Sequence, residues 1–144
     1  MIVSVTGDNE QVWAALCVAL WPDESAENLL EQRARGELPN EFLYLIGDQA
    51  VAFLSLSLRH DYVEGTDSSP VGYLEGIYVK PEYRGRGIAR ELVEYAKRWA
   101  RERRCSQLAS DCEVGNELGE TFHKRTGFQE ANRIICFTLD LHTR

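Results

Sequence analysis

Cysteine is scarce in this 144-residue chain, and its spacing fits neither a metal site nor a redox motif. No two cysteines form a Cys-x-x-Cys pair, and no cluster of cysteine and histidine has the spacing of a zinc site. These absences argue against a metal centre and against a redox dithiol. We therefore expect reduced, buried thiols at Cys17, Cys105, Cys112 and Cys136.

Long hydrophobic runs are absent as well. Residues 1–6 lack the basic start and the apolar core of a signal peptide. No apolar stretch of the sequence approaches the length that spans a bilayer. The sequence therefore predicts a cytoplasmic protein that does not contact a membrane.

Positive charge is in deficit, because 16 Lys and Arg side chains stand against 23 Asp and Glu side chains, for a net charge of −7. This balance argues against a nucleic-acid-binding surface and suits a cationic small molecule as partner. Apolar residues make up 44% of the chain, and no repeat, linker or low-complexity segment interrupts it. We expect one domain with its own core over residues 1–144.

Hydrophobic periodicity and turn residues predict the element order β-α-α-β-β-β-α-β-α-β. The predicted strands cover residues 2–6, 41–46, 49–59, 71–79, 105–112 and 133–141. The predicted helices cover residues 9–20, 25–35, 88–103 and 117–126. The middle strand–helix–strand unit requires its two strands to run parallel, which predicts a mixed α/β sheet with one core.

Two glycines and two arginines stand at a strand-to-helix turn, where residues 84–87 read Arg-Gly-Arg-Gly. The first N–H groups of a helix have no internal partner, and the helix dipole adds positive potential there. Glycine lets the backbone approach a ligand closely, and arginine suits phosphate oxygens. This turn therefore predicts a binding site for a pyrophosphate.

Three kinds of glycine-based phosphate site compete for this turn. A Walker loop needs a Lys-Ser/Thr pair where Ile88 and Ala89 stand, and a Rossmann fingerprint needs a third glycine where Arg90 stands. The remaining pattern, Arg84-x-x-Gly87-x-Ala89, resembles the acyl-coenzyme A (CoA) signature Q/R-x-x-G-x-G/A of the GNAT acetyltransferase superfamily. The preceding Val-x-Pro-x-Tyr and the long amphipathic helix that follows strengthen this resemblance over an ordinary glycine turn with solvated arginines.

The resemblance implies a GNAT-type fold, a mixed and mostly antiparallel sheet with a central splayed parallel strand pair flanked by helices. It implies acetyl-CoA as co-substrate, with the pantetheine arm lying along the backbone like an added strand. The residues implied for CoA binding are Ile77, Tyr78, Val79, Arg84, Gly85, Arg86, Gly87, Ile88, Ala89 and Asn116. Asn116 is alternatively a helix N-cap. Gly76 fits either a bulge that frees N–H groups or close packing.

Attack of an amine on a thioester needs a neutral amine, an oxyanion donor and a proton for the leaving thiolate. The resemblance implies the Ile77 backbone N–H as the oxyanion donor. Glu75, two residues earlier, should share a face with Ile77 and could bind the ammonium and take its proton, unless it is a surface carboxylate. His123 stands where the superfamily places a tyrosine that protonates the thiolate, and it is otherwise an ordinary helix histidine.

Several segments together resemble the aminoglycoside 6′-N-acetyltransferases, namely residues 21–22, 59–63, 67–70, 74–77, 109–111 and 127–130. Aminoglycosides are polycationic sugars, so their site should be acidic with an aromatic wall. The implied substrate residues are the acidic Glu75, Asp111 and Glu130 and the aromatic Trp21 and Tyr62. Trp21 could instead be a core residue at a helix end, and Asp111 a solvated carboxylate.

The resemblance thus implies acetyl transfer from acetyl-CoA to the 6′-amine of aminoglycosides, by direct attack in a ternary complex, and antibiotic resistance. It also implies a homodimer, in which the apolar strand 133–141 pairs or exchanges across a two-fold axis unless it completes its own sheet. Two alternatives stay open. One is acetylation of another amine, such as a polyamine or a peptide N-terminus, and the other is a non-catalytic acyl-CoA-binding module.

Overall fold

The computed structural model describes residues 1–142, which fall into two compact units. The first unit is Met1–Asp111, and the second begins at Cys112. Within residues 1–142, no helix is long and apolar enough to cross a membrane.

The first unit contains a five-stranded sheet in the order β1-β2-β3-β4-β5. Its strands are β1 (Ile2–Ser4), β2 (Glu41–Ile46), β3 (Gln49–Arg59), β4 (Val71–Val79) and β5 (Leu108–Ser110). Its helices are α1 (Glu10–Leu20), α2 (Ala26–Ala34) and α3 (Ile88–Glu102), with a 3₁₀ turn at Pro81–Tyr83. All neighbouring strands are antiparallel except β4 and β5, which are parallel. The predicted mixed sheet is therefore confirmed, although β5 is shorter than the predicted strand 105–112.

Helices cover both faces of this sheet. Trp13, Leu16 and Cys17 of α1 pack into one apolar cluster with Phe53 of β3. On the other face, α3 buries Ile88, Leu92, Val93, Ala96, Trp99 and Ala100. Strand β4 thus lies between two helical layers, and Glu75 is its one exposed side chain.

Strand β4 carries a β-bulge, as Gly76 suggested. Gly76 pairs with Ser55 and Leu74 pairs with Leu56, so Glu75 is the extra residue on β4. Close packing holds as well, because a Cβ on Gly76 would lie 2.4 Å from Cζ2 of Trp21. Both readings of Gly76 are therefore correct, and the bulge marks the point where the sheet is locally distorted.

The second unit contains one helix, α4 (Glu117–Arg125). The side chain of Asn116 accepts a hydrogen bond from the N–H of Gly119, which confirms Asn116 as an N-cap. Beyond α4 the residues described up to 142 form no strand, so the predicted strand 133–141 is wrong for this single chain. A strand needs a neighbour for its backbone groups. The apolar side chains of this segment are exposed, namely Ile134, Ile135, Phe137, Leu139 and Leu141.

The cysteines follow the prediction only in part. Cys17 and Cys105 are buried, Cys112 is half-buried and Cys136 is exposed. All four are free thiols rather than disulfides. Burial, and secondarily the charge of Glu41, raises the pKa of the Cys17 thiol well above its ordinary value.

Candidate active site

The turn between β4 and α3 needs glycine at two positions. Gly85 has φ = +79° and Gly87 has φ = +82°, in the left-handed region that other residues rarely adopt. Apart from the adjoining residues of the chain, no described atom lies within 4 Å of a Cβ built on either residue, so the outer side of the turn is open. An open, glycine-lined backbone is what a phosphate group requires for close approach.

The N-terminus of α3 leaves backbone donors at this turn. Gly87 is the N-cap and has no side chain to accept a hydrogen bond, and the first intrahelical bond runs from the Glu91 N–H to the Gly87 carbonyl. A cavity of about 110 Å³ lies here, lined by Val79, Tyr83, Arg84, Gly85, Gly87, Ile88, Ala89 and Arg90. This cavity contains most of the predicted pyrophosphate residues. The positive end of the α3 dipole therefore points at a pocket suited to an anion.

The two arginines of the turn lie against aromatic rings. Arg84 Nε donates to the Val79 carbonyl at 2.8 Å, and its guanidinium lies 5.4 Å from the centre of the Tyr78 ring. The guanidinium of Arg86 lies 5.1 Å from the Tyr83 ring. These contacts hold the positive charge beside the turn, where it adds to the potential of the helix end.

The parallel pairing of β4 with β5 ends early. The paired residues are Gly72, Tyr73 and Leu74 of β4, so from Glu75 to Val79 no strand of the first unit pairs with this edge of β4. The predicted parallel pair is thus present, but it lies at the edge of the five-stranded sheet rather than at its centre, and it ends at the bulge together with β5. An unpaired strand edge can bind an extended ligand by backbone hydrogen bonds, as Ile77, Tyr78 and Val79 are expected to do.

Glu75 lies at the bulge with its carboxylate engaged on both oxygens. Ser57 Oγ donates to Oε2 at 2.5 Å. Arg59 Nη2 donates to Oε1 at 3.0 Å and to Oε2 at 2.9 Å. The Glu75 side chain keeps 33% of its exposure, so the carboxylate is reachable from solvent.

The bulge also separates the side chains of Glu75 and Ile77. Paired residues on neighbouring strands place their side chains on the same face. Ile77 pairs with Leu54, whereas Glu75 contacts Ser57, three residues further along β3 and therefore on the opposite face. The expectation that Glu75 and Ile77 share a face is wrong, because the extra residue reverses the alternation. The role expected of Ile77 uses its backbone N–H and does not depend on this.

Tyr73 contacts both Asp111 and Arg59, the arginine that binds Glu75. Its hydroxyl donates a short hydrogen bond to Asp111 Oδ2, and the Arg59 guanidinium lies 3.4 Å from the centre of its ring. Burial, followed by the hydrogen bond to Asp111, raises the pKa of Tyr73 well above its ordinary value. Two of the predicted acidic residues thus lie on either side of one buried, protonated tyrosine.

The two predicted aromatic residues have different environments. Trp21 is half-buried at the end of α1, and its ring makes an edge contact with Phe53 at 5.5 Å between centroids. Tyr62 is 76% exposed in the loop after β3. Trp21 is therefore a packed residue that lies on the backbone of β4, while Tyr62 presents a free face to solvent.

Three predicted site residues belong to the second unit, namely Asn116, His123 and Glu130. The His123 ring lies 5.0 Å from Phe122 and 5.2 Å from Phe128, in edge contacts. Its Nδ1 lies 2.6 Å from the Gly119 carbonyl, which can only accept a hydrogen bond, so Nδ1 carries a proton. A neutral His123 would then present an unprotonated Nε2. Only the imidazolium form could donate a proton from that atom.

Glu130 is paired with an arginine, as Glu75 is. Arg133 Nη2 donates to Glu130 Oε1 at 2.9 Å, and this hydrogen bond lowers the pKa of Glu130 from its ordinary value. Glu130 is exposed on its own unit, in the segment after α4 that is neither helix nor strand. A cation that binds Glu130 would therefore compete with Arg133.

One acid of the first unit is buried, and it lies away from the open edge. Glu41 is 2% exposed and accepts hydrogen bonds from Trp13 Nε1 at 3.0 Å and from Ser55 Oγ at 2.6 Å. Burial raises the pKa of Glu41 to about 7, although both hydrogen bonds lower it. Ser55 lies opposite Gly76, so this acid supports β3 beside the bulge.

Sequence reasoning missed the partners of the acidic residues, Ser57, Arg59 and Tyr73. Alternation along β3 places Ser57 and Arg59 on one face, which was a usable signal. Their contact with Glu75 depends on the register across the bulge, and the sequence alone does not give that register. Among residues 1–142, no group of three His, Cys, Asp or Glu side chains is placed to hold a metal ion.

Comparison with known proteins agrees with this geometry. A family model described as the acetyltransferase (GNAT) family matches residues 8–128. An aminoglycoside N(6′)-acetyltransferase type 1 of Stenotrophomonas maltophilia is 39% identical over 144 residues, covering 97% of this chain and 93% of the relative. The protein of the same description from Acinetobacter baumannii is 40% identical over 128 residues, covering 87% and 88%.

Two solved structures also resemble the chain over nearly its whole length. One is AAC(6′)-Iy in complex with the bisubstrate analogue CoA-S-monomethyl-acetylneamine, with a TM-score of 0.91, 32% identity and 97% coverage of both chains. Another is the aminoglycoside antibiotic 6′-N-acetyltransferase AAC(6′)-Ih from Acinetobacter baumannii, with a TM-score of 0.89, 36% identity and 99% coverage of both chains.

Proposed function

Because this chain belongs to the acetyltransferase (GNAT) family, and within it to the aminoglycoside 6′-N-acetyltransferases, we propose that it acetylates the 6′-amine of aminoglycosides from acetyl-CoA and so confers resistance. The observation that carries this proposal is the arrangement along β4. The strand has a bulge with a carboxylate, then an unpaired edge, then a glycine turn at a helix N-terminus. These are an amine site, a site for an extended arm and a phosphate site in one continuous segment.

The donor site uses backbone groups more than side chains. Backbone groups of Ile77, Tyr78 and Val79 bind the pantetheine arm along the unpaired edge. The turn from Arg84 to Ala89 binds the pyrophosphate, with the dipole of α3 and two guanidinium groups neutralising its charge. The open space beside Gly85 and Gly87 and the adjoining cavity fit such a group. Asn116 contributes a further contact to the arm.

The acceptor amine arrives as an ammonium ion and must lose a proton before it reacts. Acetyl-CoA supplies the acetyl group in activated form, as a thioester. Glu75 binds the ammonium and receives its proton, directly or through water. The Ile77 N–H donates to the carbonyl oxygen on which negative charge develops. His123, as the imidazolium, returns a proton to the sulfur of the leaving thiolate.

The acceptor site is acidic and has an aromatic wall. Glu75, Asp111 and Glu130 attract the ammonium groups of the drug, whereas Trp21 and Tyr62 offer flat faces to its sugar rings. This combination favours a polycationic sugar over a neutral one. The net charge of −7 adds a long-range attraction for such a ligand.

The functional unit that we propose is the whole chain, 1–144, acting as one acetyltransferase domain in a homodimer. The exposed apolar segment 133–142 supports the dimer, because a segment with a strand-like sequence and five exposed apolar side chains is a natural strand for a partner to pair with. Acetyl-CoA is found in the cytoplasm, so the enzyme acts there.

A thiol-release assay with acetyl-CoA and tobramycin or kanamycin tests this function. We expect turnover in the wild type and a loss of about 100-fold or more in Glu75→Gln, with the fold intact by circular dichroism. No turnover at millimolar drug, with CoA binding intact, would refute the proposal. Faster turnover of spermidine or of a peptide N-terminus would select a different acceptor. Tight CoA binding without any acceptor in a broad amine screen would indicate a non-catalytic module.

A further inference from the structure

The catalytic carboxylate already has a cation bound to it. Arg59 Nη2 donates to both carboxylate oxygens of Glu75, at 3.0 and 2.9 Å, and Ser57 Oγ donates to Oε2 as well. An incoming ammonium therefore meets a carboxylate whose charge is neutralised. Two cations in contact with one carboxylate repel each other, so the ammonium and the Arg59 guanidinium compete for this position.

Arg59 has the environment that a bound ammonium would need. It is the last residue of β3, and its guanidinium lies 3.4 Å from the centre of the Tyr73 ring. Tyr73 is itself fixed by its hydrogen bond to Asp111. A carboxylate on one side and an aromatic face on the other is a common way to bind a cation. The Arg59 guanidinium thus fills a cation-binding position that Glu75 and Tyr73 form.

The Arg59 guanidinium can leave this position at low cost. Its side chain is 43% exposed, and Glu75 is its sole carboxylate partner among residues 1–142. Exposed ion pairs of this kind contribute little to stability. The hydrogen bond from Ser57 would keep Glu75 oriented after the guanidinium leaves, because serine lies on the neighbouring strand and carries no charge.

We infer that Arg59 acts as a resident cation. Its guanidinium is bound to the Glu75 carboxylate in the unliganded protein, and the reacting ammonium group of the acceptor displaces it. This role rests on the proposed function of Glu75 in binding that group. Displacement makes the site selective, because a cation competes for the carboxylate and a neutral sugar does not. It also makes Arg59 a specificity-determining residue that lowers acceptor affinity.

Isothermal titration calorimetry with tobramycin tests this role through the direction of the effect. Arg59→Gln removes the competing charge, so we expect the Kd for tobramycin to fall by about two- to fivefold. Arg59→Lys retains a cation at this position, so its Kd for tobramycin should equal that of the wild type. In the Glu75→Gln background, the Arg59→Gln change should no longer tighten binding, because the competition requires the carboxylate.

The matched control is Arg35→Gln, which gives the same change in net charge. Arg35 forms an exposed ion pair with Glu37, and both residues are far from β4 in sequence. It should leave the Kd for tobramycin unchanged. An unchanged or weaker Kd in Arg59→Gln, in a protein whose wild type acetylates tobramycin, overturns the resident-cation role alone. A wild type that neither binds nor acetylates tobramycin overturns the proposed function, and this inference with it.

Discussion

Trp21 lies directly on Gly76, with its ring atoms Cζ2 and Cη2 at 2.4 and 2.7 Å from the position of a Cβ. Glycine is therefore required at the bulge because no side chain fits beneath the indole. The contact joins the end of α1 to the strand that carries Glu75. It also positions the aromatic residue proposed to contact the sugar beside the proposed catalytic carboxylate.

Gly76→Ala should disturb both stability and acceptor binding. A methyl group there would push Trp21 away, so we expect about 1–3 kcal/mol of destabilisation and a several-fold rise in KM for the aminoglycoside. Urea unfolding and steady-state kinetics measure the two effects. In the Trp21→Phe background the smaller ring should accept the methyl group, so additive losses in the double variant would contradict this explanation.

Gly87→Ala should weaken CoA binding beyond its effect on folding. An alanine at φ = +82° costs about 1 kcal/mol in stability, and its Cβ would project into the open side of the turn. We expect the Kd for CoA to rise by calorimetry. Gly36→Ala is the matched control, because Gly36 has φ = +77°, open surroundings and no part in the turn. Equal CoA affinities in the two variants would remove Gly87 from the phosphate site.

Glu41 should make the protein less stable as the pH rises. Its folded-state pKa of about 7 lies above the ordinary value of 4.5, so the unfolded chain loses this proton first. Stability then falls as the pH rises from about 4.5 through 7, by roughly 2–3 kcal/mol between pH 5 and pH 8. Urea unfolding at both values measures this fall. Glu41→Gln should reduce the fall by that amount, and an unreduced fall would show that Glu41 is ionised when folded.

The segment 133–142 should mediate dimer formation. Ile135 and Phe137 are 79% and 86% exposed, so a charge at either should leave the single chain folded and prevent association. Light scattering after gel filtration should give a dimer for the wild type and a monomer for Phe137→Asp. Leu118→Asp, at an equally exposed apolar residue in α4, is the control. A monomeric wild type would contradict the proposed dimer.

The sequence predicted the elements best where local patterns decide them. β2, β3 and β4 have the predicted bounds, and the glycines of the turn have the conformation that glycine alone adopts readily. Such features depend on alternation, periodicity and turn chemistry, which are local. For the bulge, the glycine inside the strand left two readings open, a bulge or close packing, and the extra residue is Glu75 rather than Gly76.

Features that depend on register or on a partner could not be predicted. The pairing of Arg59 with Glu75 follows from the extra residue on β4, which shifts every later contact and separates the faces of Glu75 and Ile77. The segment 133–141 has the pattern of a strand and forms none, because a strand forms only where a neighbouring strand pairs with its backbone. Pattern alone indicates the capacity to pair, and the partner decides whether pairing occurs.

The most direct test of the central claim compares two acceptors that differ at the reacting atom. Neomycin carries an amine at the 6′ position, whereas paromomycin carries a hydroxyl there and is otherwise the same polycation. We predict thiol release from acetyl-CoA with neomycin, acetylation of its 6′ nitrogen by mass spectrometry and NMR, and no thiol release above background with paromomycin. Equal rates with the two drugs, or acetylation at another amine, would contradict the account.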